Sequence, residues 1–304
     1  MEHKKAILLF GPTASGKSRL SIDIAKQFNS EIVNADSIQV YKEIKILSAR
    51  PEEKDVKHHL YGFISAKENF SVGSWYKLVT ERINEINKKG KIAIVVGGTG
   101  LYFKVLIEGL VEIPSVPKID YSYLNSLGQW MLKNHYSKKY PEIFKGINNN
   151  DIQRISRAIS VYKATGITLN DWQKKKNKKN FKTNDFKKIC LIPPKSELEK
   201  RIKKRFTNML SNGAIAEVKK YRKLNLSSHI LHSSNSIIGL NEIELFLAKK
   251  ISMDELKEKV LIKTRQYAKR QFTWQRGQMK EWKGFTDINY LDLRKKVISY
   301  LSKT

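Results

Sequence analysis

Apolar residues at 5–10 (KAILLF) form a short continuous run, followed by a glycine-rich turn at 11–16 and then SRLSIDIAKQF, whose apolar positions recur at helical spacing. The pattern predicts a strand, a loop and a helix. Residues 31–35 (EIVNA) predict a second strand that runs out at Asp36, and residues 92–96 (IAIVV) a fully buried strand that enters Gly97 and Gly98. Strands alternating with helices imply a parallel α/β sheet, whose ligands bind at the carboxyl ends of the strands. After Pro114 and Pro117 the pattern changes to polar, aromatic-containing helical segments until KKICLIPP at 187–194. A core in two parts, 1–117 and 188–304, with a helical insertion at 118–187, is therefore expected. Ser196 and Glu199 read as a capping box opening a basic helix that closes near Asn212-Gly213, and a second long helix is expected from about Asp254 to Arg276.

The 304 residues are 40% hydrophobic and 10% aromatic, which provides for a sizeable core and is too apolar for a disordered polycation. Lys and Arg number 58 against 29 Asp and Glu, giving a formal charge of +29, of which residues 1–150 carry +7 and residues 151–304 carry +22. Such asymmetry marks a polyanion-binding surface, with nucleic acid as the leading partner. No apolar run approaches the ~18 residues of a membrane helix, and AILLF is too short for a signal segment, so a soluble, cytoplasmic protein with no membrane association is expected. The single cysteine, Cys190, sits in ICLI and reads as a core residue, which removes internal disulfides and Cys-rich zinc modules. Lys174, Lys175, Lys176, Lys178 and Lys179 read as a solvated polar loop without interleaved aromatics. His58 and His59 read as loop or packing residues, too few for a metal site.

Gly11-Pro12-Thr13-Ala14-Ser15-Gly16-Lys17-Ser18 matches G-x4-G-K-[ST] between a strand and a helix. In such a loop backbone N–H groups close around a diphosphate, Lys17 adds a charge to its outer oxygens, and Ser18 can ligate Mg2+. The expected fold is thus a P-loop NTPase-like parallel sheet flanked by helices. Hydrolytic P-loop enzymes place an acid at the end of an apolar strand, whereas IAIVV ends in Gly97-Gly98-Thr99-Gly100. The acid stands instead at Asp36, where it can hold metal or accept a proton.

GPTASGKS, DSIQVY at 36–41, GGTGLYFK at 97–104, DIQRISRAISVY at 151–162 and RQYAKRQFTW at 265–274 together resemble the tRNA dimethylallyltransferases, the tRNA isopentenyltransferase family, over about residues 5–280. The resemblance implies transfer of a dimethylallyl group from dimethylallyl diphosphate to the exocyclic N6 of the adenosine immediately 3′ of the anticodon, in tRNAs reading codons that begin with U. The diphosphate is then a leaving group, held by residues 11–18 (Gly11, Pro12, Thr13, Ala14, Ser15, Gly16, Lys17, Ser18), Mg2+ on Ser18, and Arg205. Asp36 matches the family's general base, and Thr99 a residue that orients the amine. Asp36, Ser37, Ile38, Gln39 and Thr99, with Gln153, Arg154, Ile155, Ser156 and Arg157, match segments that contact tRNA. The insertion would close over the anticodon arm, and a monomer is expected. In RQYAKRQFTW, Arg265, Lys269 and Arg270 suit RNA, while Tyr267 and Trp274 read as core. Two segments depart from the family pattern: Ser48-Ala49-Arg50-Pro51, which keeps a hydroxyl and a cation, and Ile238-Gly239-Leu240-Asn241-Glu242, which loses an aromatic and a cation. The zinc finger of eukaryotic members is absent, which points to the bacterial type. A P-loop kinase with a small acceptor, or a non-catalytic RNA-binding module, remain as alternatives.

Overall fold

The computed structural model describes residues 4–52, 55–114, 138, 141–148, 151–175, 177–224 and 233–303, without the side chains of 152, 153, 233 and 235. The chain forms two compact units, one of Met1–Glu108, Asn180–Asn225 and His232–Thr304, the other of Gly109–Lys179 with Leu226–Leu231. Of the insertion expected at 118–187, residues 118–137, 139–140, 149–150 and 176 lie outside the described residues.

The larger unit is built on β1 (Ala6–Phe10), β2 (Glu31–Asn34), β3 (His58–His59), β4 (Ala93–Gly97), β5 (Phe186–Leu191) and β6 (Lys283–Phe285), in the order β3-β2-β4-β1-β5-β6. Every pairing among them is parallel. β1 lies between β4 and β5, with Ala6 opposite Ala93 and Phe186, and Phe10 opposite Gly97 and Cys190. Helices cover both faces of such a sheet, which is why β1 and β4 read as unbroken apolar runs and every residue of each is buried. Helix α1 (Lys17–Gln27) follows β1, and its Leu20, Ile24 and Ala25 pack with Ile7, Leu9, Ile32, Ile94 and Ile189 in one core cluster.

Helix α2 (Val72–Lys88) is capped by Ser71, whose hydroxyl accepts from the Ser74 N–H. It buries Trp75, which stacks on Tyr102 of α3 (Gly100–Glu108) with ring centroids 4.1 Å apart. The smaller unit contributes α4 (Ile152–Thr165) and α5 (Leu169–Lys174), with Ile143, Ile155, Ala158 and Ile159 forming its core. The larger unit ends in α6 (Lys195–Ser211), α7 (Ala214–Arg222), α8 (Leu240–Leu247), α9 (Met253–Gln278) and α10 (Tyr290–Ser302).

Several expectations are corrected. Helix α6 begins at Lys195 behind Pro194, with no side-chain cap, so Ser196 and Glu199 form no capping box. A proline at that position presets the backbone and leaves Ser196 inside the first turn. The box belongs instead to α9, where the Ser252 hydroxyl accepts from the Glu255 N–H and Glu255 accepts from the Ser252 N–H. His58 and His59 are an edge strand, and the His59 Nε2 lies 2.7 Å from the buried Glu31 carboxylate. The two short strands β3 and β6 carry too few apolar residues to show in the sequence pattern. Lys174 closes α5 and pairs with Asp171, while the Lys175 ammonium lies 3.6 Å from the Trp172 ring centroid, so this run is neither a plain loop nor free of aromatics. Lys176 lies outside the described residues. Cys190 is buried in β5, as its setting implies, and burial pushes its thiol up to about 11.

Gly97 ends β4 where a Cβ would overlap the Ala35 backbone, whereas a Cβ on Gly277, in α9, would meet nothing. Gly97→Ala should cost about 3 kcal/mol or more in urea denaturation, because backbone cannot yield as a side chain can. Gly277→Ala should stabilise by about 0.5–1 kcal/mol.

Candidate active site

The sheet order makes β2, β4 and β1 neighbours, so the loops that leave their carboxyl ends emerge side by side. These loops carry Asp36, Thr99 and the glycine-rich turn. The Gly11 N–H donates to the Gly97 carbonyl at 3.3 Å, and beyond that bond the two chains diverge. Ala14 and Gly16 turn left-handed, at φ +61° and +89°, in the kind of loop that directs backbone N–H groups at an anion. Gly16 is exposed, while Ser15 is buried against Gly11.

Lys17, the first residue of α1, donates to the Pro12 carbonyl at 3.3 Å. Burial holds its ammonium down at about 8; the Asp36 charge opposes this and the Arg205 guanidinium adds to it. Arg205 reaches the loop from α6 and donates to the Thr13 hydroxyl at 3.2 Å. Its own proton affinity is lowered by burial, against the pull of Asp36. The expected phosphate-binding cations are therefore brought together. Arg201, a turn earlier, is turned to Glu197. Ser18 is half-buried in the first turn of α1. No group of three acidic, histidine or cysteine residues able to hold a metal exists among the described residues. The donor set fits an ion such as Mg2+ that rests chiefly on diphosphate oxygens and water, with Ser18 as protein ligand.

Asp36 is set in place by Asn34, fully buried at the end of β2. The Asn34 carbonyl oxygen accepts from the Asp36 N–H at 2.8 Å, and its amide donates to the Asp36 and Leu60 carbonyls. The Asn34 backbone carbonyl accepts from the Trp75 indole at 2.8 Å. One Asp36 oxygen accepts from the Ile38 N–H at 3.1 Å. The phenols of Tyr61, Tyr102 and Tyr267 are each pushed up, first by burial and then by the Asp36 charge, which reaches all three. The Thr99 hydroxyl accepts from the Ser37 N–H at 3.0 Å and donates to the Ser37 hydroxyl, which joins the β4 loop to the β2 loop beside Asp36.

Other expected site residues are placed differently. Gln39 is buried and donates to the Ser48 and Ala49 carbonyls, so its side chain fastens the Ser48–Pro51 segment and is not presented to RNA. Ile155 and Ser156 point into the core of the smaller unit, leaving Arg154 and Arg157 exposed on α4; the Gln153 side chain lies outside the described residues. In the Ile238–Glu242 departure, Leu240 is buried, Asn241 is exposed, and Glu242 accepts from the Gly239 N–H and pairs with Lys263. Sequence reasoning missed Asn34 and Gln271. The signal for Asn34 is an amide that ends a short strand directly after the apolar Ile32 and Val33 and two residues before Asp36. For Gln271 it is an amide three residues after Ala268 on the buried face of α9.

Between the glycine-rich loop and Asp36 opens a cavity of about 300 Å³, with Thr13, Asp36 and Arg205 at its polar end and Leu47, Phe206 and Val260 along its apolar wall. Small-ligand sites have this size and this division of labour. Free Lys17 titrates at 10.5 and folded Lys17 near 8, so in that window the unfolded chain binds more protons and stability rises with pH. Below it the full cost of the desolvated, half-buried ammonium is present. Lys17→Met should therefore raise the melting temperature by roughly 3–6 °C at pH 7, with the gain shrinking at pH 10.5, while abolishing diphosphate affinity. Circular dichroism melts and calorimetric titration check both.

The profile of the IPP transferase family matches residues 39–278. The tRNA dimethylallyltransferase of Pelagibacter ubique is 45% identical over 292 residues, covering 92% of this chain and 91% of that one. That of Parvibaculum lavamentivorans is 38% identical, covering 98% and 96%. The full-length tRNA isopentenylpyrophosphate transferase of Bacillus halodurans superposes with a TM-score of 0.71 at 28% identity, covering 99% and 96%. A eukaryotic dimethylallyltransferase acting on tRNA does so at 0.77 and 28%, covering 97% and 77%. These relatives favour neither the kinase nor the non-catalytic alternative. With parallel sheet, glycine-rich loop and flanking helices in common, and with relatives of this identity and coverage, the chain belongs to the IPP transferase family of tRNA prenyltransferases.

Proposed function

We propose that the protein transfers the dimethylallyl group of dimethylallyl diphosphate to the exocyclic N6 of the adenosine immediately 3′ of the anticodon, in tRNAs reading codons that begin with U. The observation that carries the reading is one carboxylate, Asp36, close enough to two half-buried cations, Lys17 and Arg205, to act on the charge of both, with Asp36 and Arg205 lining a cavity whose far wall is apolar. The diphosphate sits in the glycine-rich loop and the five-carbon chain along Leu47, Phe206 and Val260. As the amine bonds to the allylic carbon, the carbon–oxygen bond to diphosphate breaks and negative charge grows on the departing oxygens. Lys17, Arg205 and the loop amides stabilise that charge as it develops. Mg2+ held by Ser18 and the diphosphate would neutralise part of it.

The amine is not acidic until its nitrogen gains positive charge, so an ordinary carboxylate can take its proton. Asp36 fills that role, and Thr99 holds the adjacent backbone and offers a hydroxyl to the base. The adenine is unpaired in the anticodon loop, which lowers the cost of extruding it. The anticodon stem-loop supplies phosphates for the basic excess, with exposed Arg154 and Arg157 among the donors. Action on tRNA favours a cytoplasmic location for the enzyme.

Incubation of the protein with dimethylallyl diphosphate, Mg2+ and unmodified tRNA should yield a prenylated adenosine on nucleoside mass analysis; an unmodified tRNA pool would overturn the reading. Asp36→Asn should lower the single-turnover rate by about 10²–10⁴-fold with tRNA affinity unchanged. Affinity for tRNA should fall steeply as salt rises, since each neutralised phosphate releases counterion.

A further inference from the structure

We infer that Gln271 is the positioning residue that holds the donor loop and the acceptor loop in register, an inference that rests on the prenyl-transfer reading. Its side chain is 5% exposed and projects from α9 into the gap that opens where β1 and β4 end. The Gly11 N–H to Gly97 carbonyl bond is the last direct bond between the two chains there. Beyond it, the Gln271 Oε1 accepts from the Thr13 N–H at 2.8 Å and the Nε2 donates to the Gly98 carbonyl at 2.9 Å. The amide thus replaces one rung of the ladder, presenting one acceptor and one donor as a strand would. Each end leads to a different reactant. Thr13 receives Arg205 on its hydroxyl and lies in the diphosphate loop. Gly98 precedes Thr99, whose hydroxyl carries Ser37 beside Asp36.

The fit leaves no slack. A Cβ on Gly98 would overlap the Gln271 amide nitrogen, so the residue opposite must be glycine for the bridge to close. Only a side chain of this length with both a donor and an acceptor satisfies the two backbone groups, and an apolar replacement leaves them buried and unpaired. Gln271 does not line the cavity between the glycine-rich loop and Asp36. It acts by fixing the distance between the group that leaves and the group that takes the proton, where an error of about 1 Å costs about 10²-fold in rate.

The test compares wild type with Gln271→Met, which keeps length and loses both bonds, and Gln271→Asn, which keeps an amide one methylene too short to reach both loops. Single-turnover prenyl transfer at saturating substrates, affinity for inorganic diphosphate, affinity for tRNA, and the urea midpoint are read for each. The expected result is a rate lower by about 10²-fold for Gln271→Met, diphosphate affinity weaker by several-fold, and tRNA affinity unchanged. In a Thr99→Val background the same substitution should cost less than about tenfold, because the loop it positions has already lost its hydroxyl. A rate per folded molecule equal to wild type, or losses that multiply fully in the double variant, would overturn the proposal. If Gln271→Met does not fold, Gln271→Asn carries the same comparison. If wild type makes no prenylated tRNA, the functional reading fails, while the diphosphate titration of the variants still shows whether Gln271 shapes the donor loop.

Discussion

Two cations and one carboxylate, Lys17, Arg205 and Asp36, share a half-buried site at the carboxyl edge of the sheet, and the rest of the larger unit serves to keep them there. Burial works against both cations, as the lowered proton affinities of Lys17 and Arg205 show, and one carboxylate does not balance them. The site is therefore short of negative charge before any ligand arrives. A diphosphate supplies that charge and gains most where water is excluded. The same imbalance suits a reaction in which charge moves onto a departing diphosphate, because the dipoles and cations are already in place.

Strand order turns this chemistry into geometry. With β2, β4 and β1 adjacent, three loops that are far apart in sequence emerge within two strand spacings, about 10 Å. Each loop is then held by a polar side chain: buried Asn34 for the Asp36 loop, buried Gln271 for the gap between the other two, and half-buried Thr99 for the link back to Ser37. Glu217 of α7 extends the pattern, accepting from the Lys45, Ile46 and Leu47 N–H groups and thereby fixing the turn that lends Leu47 to the cavity wall. Buried amides such as Asn34 and Gln271 cost stability when left half-satisfied, and each of these two is paired at both its oxygen and its nitrogen.

Much of this was legible in the sequence. Continuous apolar runs located β1 and β4, and the spacing G-x4-G-K-S located the glycine-rich turn between β1 and α1, because both depend on short-range pattern. Arg205 was legible only as one of two arginines, with Arg201, a turn apart on one face of a basic helix, and the structure turns Arg205 to Thr13 and Arg201 to Glu197. What escaped depends on long-range contact. Asn34, Gln271 and the three tyrosines acquire their roles from neighbours up to 258 residues away in the chain, as in the Thr13–Gln271 bond. Gln39, Ile155 and Ser156 show the converse: sitting in a tRNA-contact segment does not tell which side chains face inward. Along α4 the helical period settles it, turning Ile155 and Ser156 to the core and Arg154 and Arg157 to solvent.

The central claim is that the site is a charge-deficient cradle for a prenyl diphosphate, and calorimetric titration with dimethylallyl diphosphate at pH 8.5, in two buffers of different ionisation enthalpy, tests it most directly. Lys17, held down at about 8, is partly deprotonated at that pH in the free protein and is drawn back to its charged form by the bound anion, so binding should take up protons, and Lys17→Arg should take up fewer. The donor should also bind more tightly than ATP. Binding without proton uptake, or a clear preference for ATP, would contradict the account.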